Sequence, residues 1–353
     1  MIFVTGGSGF IGSNFVIDWR RGTSEAVVNI DRLTYAGNCI AVKDFGKVSK
    51  CIFIHADICD RDKMDRIFYR YRPRAIVHFA AESHVDRSIC APDEFVRTNV
   101  VGTFTLLQAA HRYWTGMPDG EKKAFRFLHV STDEVFGSLG PADAPFSETS
   151  SYAPNSPYSA TKAGSDHLVR AWHHTFGLPT LMTHCSNNYG PFQFPEKLIP
   201  LLITRALEGK ALPIYGDGMN VRDWLYVGDH CSAIRHVLAG GTPGETYNIG
   251  GRNELTNLEV VGALCGILDR LRPKSSGSYR DQIEMVSDRP GHDRRYAIDA
   301  SKVRAELGWE PAETFETGLE KTVRWYLDNQ AWVDEVVSSG ESKREARSYE
   351  RQA

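Results

Sequence analysis

The sequence is poor in organised cysteine, in excess charge of either sign and in long apolar runs. Its seven cysteines, Cys39, Cys51, Cys59, Cys90, Cys185, Cys231 and Cys265, are scattered, odd in number and contain no C-x-x-C pair. That excludes a disulfide framework and fits a reduced, cytoplasmic setting. No H-E-x-x-H run or Cys/His cluster has metal-site spacing, and His173 and His174 fall in a helical pattern that reads as surface, so no metal is expected. A formal net charge of -3 gives no basic field for nucleic acid or for an acidic membrane. No stretch approaches the roughly 18 apolar residues of a spanning helix, and the opening MIFVTGG has no cationic leader. Small molecules and other protein subunits are the partners left.

What is there is ordinary for an enzyme: 353 residues, 42% hydrophobic and 24% charged, enough for about two domains. Strand-length apolar runs recur at Ile2 to Val4, Val27 to Ile30, Cys51 to Ile54, Ala75 to Phe79, Phe125 to Val130 and Thr180 to His184. Helical spacing separates most of them, over Phe10 to Trp19, Asp60 to Tyr69, Glu94 to Tyr113 and Tyr158 to Phe176. Alternating strand and helix predicts an α/β fold, a doubly wound parallel (Rossmann) sheet. Beyond residue 186 the pattern breaks into loops rich in Pro, Gly and Asn, then short elements, as a smaller C-terminal α/β substrate-binding lobe requires. The expected division is 1–186 for the dinucleotide-binding domain, 187–335 for the lobe, with some segments returning to the sheet, and 336–353 for a polar tail.

The turn after the first strand, TGGSGFIG, contains Gly7-x-Gly9-x-x-Gly12 and also Gly6-x-x-Gly9-x-x-Gly12. Glycines let a backbone approach a pyrophosphate, whose charge then meets the N-terminus of the next helix. Any tight strand-to-helix turn can use glycine, so the motif alone is weak. Asp31, about 20 residues on and at the end of VVNID, strengthens it: a carboxylate there accepts from both ribose hydroxyls and repels a 2′-phosphate, which favours NAD over NADP. Asp57 and Ile58 follow the third strand and Ala80 to Ser83 the fourth, positions that suit cofactor contacts or strand-end packing equally.

Ser131, Thr132, Asp133 and Glu134 stand where the fifth apolar run stops. In open α/β sheets the ligand crevice lies beyond the carboxyl ends of the strands. Adjacent carboxylates in a desolvated cleft ionise unequally and can serve as acid and base, although a strand-end Asp-Glu is often only a turn or helix cap. Tyr158 and Lys162, four apart at the start of a helical pattern, share one face. A cation beside tyrosine stabilises its phenolate and makes it a usable base.

The segments TGGSGFIG, FAAESHVDRS, STDEVFG, YSATK, SNNYGPFQFPEKLIP, RDWLYVGDH and RPGHDRRYAID, in that order from residue 1 to about residue 335, resemble the extended short-chain dehydrogenase/reductase family, and within it the nucleotide-sugar dehydratases. The acidic pair after Ser-Thr is the most discriminating element, since epimerases of the same fold usually lack it. The resemblance implies a tightly bound, recycled NAD and conversion of dTDP-glucose to dTDP-4-keto-6-deoxyglucose, a step toward deoxysugars such as dTDP-rhamnose. It implies catalytic roles for Thr132, Asp133, Glu134, Tyr158 and Lys162, with Glu134 as base and Asp133 as acid. It implies cofactor contacts at Gly6, Gly9, Phe10, Ile11, Gly12, Asp31, Arg32, Leu33, Thr34, Asp57, Ile58, Phe79, Ala80, Ala81, Ser83, Thr98 and Asn188, besides Tyr158 and Lys162. Substrate contacts are implied at Ser83, Thr132, Asn187, Lys197, Leu198, Pro213, Ile214, Tyr215, Arg222, Asn257, Asp288, Arg289, Pro290, Gly291 and His292. Arg222 has a physical case of its own, because a guanidinium grips a diphosphate in bidentate fashion; a salt bridge is the alternative. His84 could touch the sugar or be structural. The resemblance also implies a homodimer through the Glu94 to Tyr113 and Tyr158 to Phe176 helices, whose apolar faces could equally be core. The family often has a tyrosine soon after the tail's Ser-Gly, whereas here Glu341 follows Gly340. Three other readings stay open: a 4,6-dehydratase of a UDP, GDP or CDP sugar, a 4-epimerase of the same fold, and a non-catalytic NAD-binding regulator.

Overall fold

The computed structural model describes residues 1–34, 50–288 and 293–338. Seven strands form its main sheet: β1 (Ile2–Thr5), β2 (Val27–Asp31), β3 (Cys51–His55), β4 (Ala75–His78), β5 (Arg126–Thr132), β6 (Thr180–Cys185) and β10 (Thr246–Ile249). Their order is β10-β6-β5-β4-β1-β2-β3, and every neighbouring pair is parallel. Chain order reverses between β1 and β4, the switch point at which such sheets open a crevice. The strands read as apolar runs because helices cover both faces. On one face α1 (Phe10–Gly22) packs Phe15 and Trp19 with Val4, Val77 and Leu128. On the other, α2 (Arg61–Tyr71) and α3 (Thr103–Thr115) pack Phe68 and Leu106 against Phe3, Val28 and Phe127.

The helix expected over Glu94 to Tyr113 is not continuous. A short turn of helix, Pro92–Phe95, passes into a π-helical stretch, Val96–Gly102, before α3 begins. Such widened turns often sit beside functional sites. Here the widening lets buried Asn99 reach sideways: its carboxamide accepts from the Glu82 backbone N–H at 2.9 Å and donates to the Glu82 carbonyl at 3.0 Å and to Thr161 Oγ1 at 2.9 Å.

The second lobe holds a three-stranded sheet of β11 (Glu254–Thr256), β9 (Val221–Tyr226) and β7 (Asn187–Tyr189), and a parallel pair of β12 (Ile283–Val286) with β8 (Leu212–Tyr215). Asn187 and Asn188 therefore lie in a strand and not in a turn. Around these sheets α5 (Leu198–Leu207), α7 (Asn257–Leu271) and α8 (Phe315–Asp328) bury Leu202, Leu264, Phe315 and Tyr326 in a separate core. The chain returns to the main sheet between visits to this lobe. Helix α6 (Val227–Gly240) packs Cys231 and Ile234 beside Phe15, and β10 pairs with β6. Among the described residues no helix is long and apolar enough to cross a membrane.

Candidate active site

Beyond the carboxyl ends of the strands lies one cleft of about 320 Å³, between the main sheet and the second lobe. Its walls come from each strand end in turn. After β1 the chain makes the glycine turn, where Gly6 has φ +70° and a Cβ there would stand 2.6 Å from the Ala80 nitrogen. A Cβ on Gly12 would stand 2.2 Å from the Gly6 carbonyl oxygen. Side chains at either position would close the turn. Gly9 is the N-cap of α1 and supplies no side-chain cap, so the first N–H groups of that helix stay available to an anion. Gly6, Gly9, Phe10, Ile11 and Gly12 all line the cleft.

At the end of β2, Asp31 accepts from the Ser8 N–H at 2.9 Å and the Leu33 N–H at 2.8 Å. Burial nevertheless holds its carboxyl above the ordinary carboxylate range. Arg32 bridges Asp57, at 3.2 Å, and Glu94, at 3.3 Å. Arg32, Thr34, Asp57, Ile58, Phe79, Ala80, Ala81, Ser83 and Thr98 line the cleft with Asp31, whereas Leu33 stands behind that wall and acts on it through its amide. Thr98 Oγ1 and Asn187 Oδ1 are buried with no hydrogen-bond partner among the described residues. Together with the uncapped glycine turn and the strand-end carboxylate, they fit a dinucleotide with ribose and amide groups to satisfy. Asn188 also lines the cleft, but its side chain is committed: it donates to the Ser186 carbonyl at 2.9 Å, and its oxygen lies 2.8 Å from His230 Nδ1.

Strand β5 delivers the polar tetrad to the middle of the cleft. Thr132 ends the strand and caps the short 3-10 turn Asp133–Phe136, accepting from the Glu134 N–H at 3.3 Å. Because Thr132 does the capping, neither carboxylate is needed as a cap, and both Asp133 and Glu134 face the cleft. The two environments differ. Asp133 is 2% exposed, and its Oδ2 has no hydrogen-bond partner among the described residues. Burial first, then the charges of Glu134 and Asp223, push its carboxyl well above the ordinary range, against the opposing pull of Arg222. Glu134 is only partly buried.

Helix α4 (Pro157–Phe176) opens with a capping box between Ser156 and Ser159, which fixes its first turn against the cleft. Tyr158 sits in that turn and lines the cleft together with Thr132. Lys162, one turn on, donates from Nζ to the Val130 carbonyl at 2.8 Å. The expected lowering of the Tyr158 pKa by Lys162 is not what the polypeptide alone produces. Burial, then the charge of Glu134, hold the phenol well above its usual value, and burial draws the lysine below its own. A positive charge from outside the chain is needed to make Tyr158 a base.

The expected substrate residues divide into three groups. Ser83, Thr132, Asn187 and Lys197 line the cleft, with Lys197 Nζ 3.3 Å from the Ser83 carbonyl oxygen. Leu198, Pro213, Ile214, Tyr215, Arg222, Asn257 and Asp288 belong to the second lobe outside the cleft wall, at the starts or ends of its elements. Arg289, Pro290, Gly291, His292 and the tail after Ser338 lie outside the described residues. Arg222 is buried, not an exposed salt bridge: its guanidinium donates to the carbonyls of Val221 and Asp293, both at 2.8 Å, and lies over the Tyr296 ring at 4.4 Å. His84 caps the short helix Val85–Cys90, accepting from the Arg87 N–H at 3.4 Å. His173 is half-buried, with Nδ1 3.0 Å from the Leu178 carbonyl oxygen, so only His174 is exposed as expected. Glu82 lines the cleft within the expected stretch Ala80 to Ser83, whereas sequence reasoning missed Cys185, Gln193, Phe194 and Glu196 on its wall. Of these only Glu196, a carboxylate beside Lys197, carried a signal that could have been read.

The family model described as GDP-mannose 4,6 dehydratase matches residues 3–322. A dTDP-glucose 4,6-dehydratase of Neisseria meningitidis serogroup B is 58% identical over 340 residues, covering 96% of each chain. Among solved structures, DesIV, a dTDP-glucose 4,6-dehydratase from Streptomyces venezuelae with NAD and TYD bound, superposes with a TM-score of 0.86 at 46% identity, covering 95% of this chain and 99% of that one. A dTDP-glucose 4,6-dehydratase from Bacillus anthracis in complex with NAD gives 0.84 at 46% identity, with the same coverage.

Proposed function

The chain belongs to the nucleotide-sugar dehydratase family that this model describes, and from that premise we infer that it converts dTDP-glucose to dTDP-4-keto-6-deoxyglucose and water, with NAD recycled in each turnover. The observation that carries the reading is the unequal carboxylate pair, Asp133 buried and held protonated beside the more exposed Glu134, adjoining Thr132 and Tyr158. Loss of water between neighbouring carbons needs an acid and a base on the same substrate, whereas inversion at C4 needs neither.

The residues that hold NAD are the glycine turn at its pyrophosphate, Asp31 at its ribose, and Thr98, Asn188, Tyr158 and Lys162 toward the reacting end. Bound there, NAD would supply the hydride acceptor for C4 and the hydride donor for C6, and in its oxidised form a positive charge for the site. Tyr158 then removes the C4 hydroxyl proton, and Thr132, on the same cleft wall, positions that hydroxyl. The C4 ketone acidifies the C5 hydrogen, which Glu134 removes as base. Asp133, whose carboxyl is raised by its burial and by the charge of Glu134, gives its proton to the C6 hydroxyl, which leaves as water; once C6 has been reduced, C5 takes back a proton that Glu134 has exchanged with solvent. Structure-based asymmetry and family resemblance agree on this assignment, which residue spacing by itself left open. Ser83, Asn187 and Lys197 face the sugar, and Arg222, whose charge reaches Asp133, supplies a cation for the diphosphate side. Leu198, Pro213 to Tyr215, Asn257 and Asp288, in the second lobe, are assigned to the nucleotide end on the family resemblance.

Product analysis in heavy water tests the reading. With dTDP-glucose the expected product has lost water and gained solvent deuterium at C5, and UDP, GDP and CDP counterparts run in parallel should turn over more slowly. An unchanged hexose mass with inverted C4 would identify an epimerase, and tight NAD binding without any turnover would identify a regulator.

The same reading includes a homodimer. Val96, Val101, Phe104 and Phe176, between 37% and 48% exposed, put an apolar face on the Val96–Thr115 segment and α4, where Phe104 stacks edge-on with Trp172. Exposed apolar residues in one patch mark an association surface. Light scattering is expected to give twice the chain mass of 39.5 kDa, and Phe104→Glu with Val101→Glu to halve it. The free cysteines among the described residues and the nucleotide substrate support a cytoplasmic setting for this reaction.

A further inference from the structure

Beneath the cleft lies a buried ionic cluster that none of the steps above uses. Asp166, on α4 one turn beyond Lys162, is 1% exposed. Burying a carboxylate is costly unless it is fully hydrogen-bonded. Three groups, Ser131, Tyr152 and His184, bond its Oδ2, whereas Oδ1 has the His129 ring beside it but no hydrogen bond among the described residues. Ser131 Oγ donates at 2.8 Å and Tyr152 Oη at 3.2 Å. His129 Nε2 and His184 Nε2 each lie 3.1 Å from a carboxylate oxygen. Parallel pairing of β5 with β6 sets Ser131 opposite His184, so one carboxylate clasps both strand ends just below Thr132 and Cys185. His184 also packs against Phe136 at 4.8 Å, which closes the turn carrying Asp133 and Glu134.

The charges in this cluster are few. On β4, His78 is held neutral well below its usual pKa by burial, by His129 and by Lys162, and its ring nitrogens are taken up by Thr5 and Thr103. On β5, His129 is pushed down to about 4 by burial and then by Lys162, against the pull of Asp166. Tyr152 is held neutral by burial and by Asp166, with Arg170 of α4 opposing. Burial also holds Cys185 of β6 as a thiol. Burial raises Asp166 itself, but the neighbouring His129 and His184 outweigh it, and the carboxyl stays well below its usual range. One turn away stands Lys162, only 4% exposed, whose charged form burial disfavours and Asp166 chiefly favours.

We propose that Asp166 is a positioning residue, the buried counter-charge that keeps Lys162 an ammonium beneath Tyr158 and clamps the Ser131 to Glu134 strand end against α4. The proposal rests on the dehydratase reading for what Lys162 does, not for the cluster itself. Asp166→Asn keeps the shape and removes the charge. In the holoenzyme acting on dTDP-glucose, the alkaline limb of kcat/KM is expected to move down by about one pH unit or more, as loss of a neighbouring opposite charge requires. Tyr152→Phe removes a neutral hydroxyl, with its hydrogen bonds to Asp166 and His184, but no charge, and is expected to leave that limb in place. An Asp166→Asn enzyme slowed by one factor at every pH would show a merely structural role and overturn the proposal. A second measurement covers an Asp166→Asn chain that does not fold. Asp166 shares its charge between Lys162 and His129, so in Lys162→Met the histidine should claim it, and the NMR titration of His129 should rise by about one unit or more. An unmoved His129 would equally overturn the proposal. That titration needs no substrate, so its outcome is separate from the product analysis on which the dehydratase reading stands.

Discussion

Tyr158→Phe is expected to lower turnover of dTDP-glucose by about 10²–10⁴-fold, the range for losing a general base, and to leave the bound cofactor oxidised. The phenol is buried, so the substitution removes one oxygen from a packed site and should spare folding and NAD retention. Its place in the sequence of steps sets the spectroscopic result. If Tyr158 takes the C4 proton, no hydride moves without it, and absorbance of the reduced cofactor should not rise after mixing with substrate. The pH dependence follows from the direction of its shift. A group whose pKa stands above its usual value gains its basic form as pH rises, so the rate of the first oxidation should climb with pH until Lys162 loses its proton on the alkaline limb. Single-turnover absorbance on wild type and Tyr158→Phe checks both points. A build-up of reduced cofactor in the variant would move the proton transfer to another residue.

Much of the sheet was legible because parallel strands buried on both faces must be nearly continuous apolar runs, as Ala75–His78 and Arg126–Thr132 are. β10 was not, since TYNI is four residues long in a stretch rich in glycine, and only its pairing with β6 makes it the seventh strand. The π-helical turn at Val96–Gly102 escaped for a different reason: inserting one wide turn barely disturbs the apolar spacing, so the segment reads as one helix. At the site, motif spacing was enough to bring the glycine turn, Asp31, the tetrad and the Tyr158/Lys162 face into one cleft. It could not reveal that Thr132 does the capping, that Arg222 is spread over backbone carbonyls, or that Asp166 collects two histidines from neighbouring strands. Those are tertiary facts, set by register and burial and not by distance along the chain.

The double replacement Asp133→Asn with Glu134→Gln is expected to separate the two halves of the reaction. Oxidation at C4 relies on Tyr158 and should survive, while elimination loses both its acid and its base. Product formation should fall by about 10²–10⁴-fold or more, with the two losses not additive because the residues act on one step. The reduced-cofactor absorbance that Tyr158→Phe never develops should here appear within one turnover and persist. The single variants refine the roles. Asp133→Asn keeps the base and should still exchange the C5 hydrogen with solvent, whereas Glu134→Gln should not. Stability gives an independent check on Asp133. Its folded pKa is raised, so ionising it in place opposes folding; that cost is present above the folded pKa and vanishes as pH falls toward its unfolded value of about 3.9. Replacing the carboxylate with a carboxamide should therefore leave Tm equal or higher at neutral and alkaline pH, with the difference closing toward pH of about 4. A variant that is less stable at neutral pH would mean that the buried carboxylate is compensated after all, and that its proton is not held ready for the leaving hydroxyl.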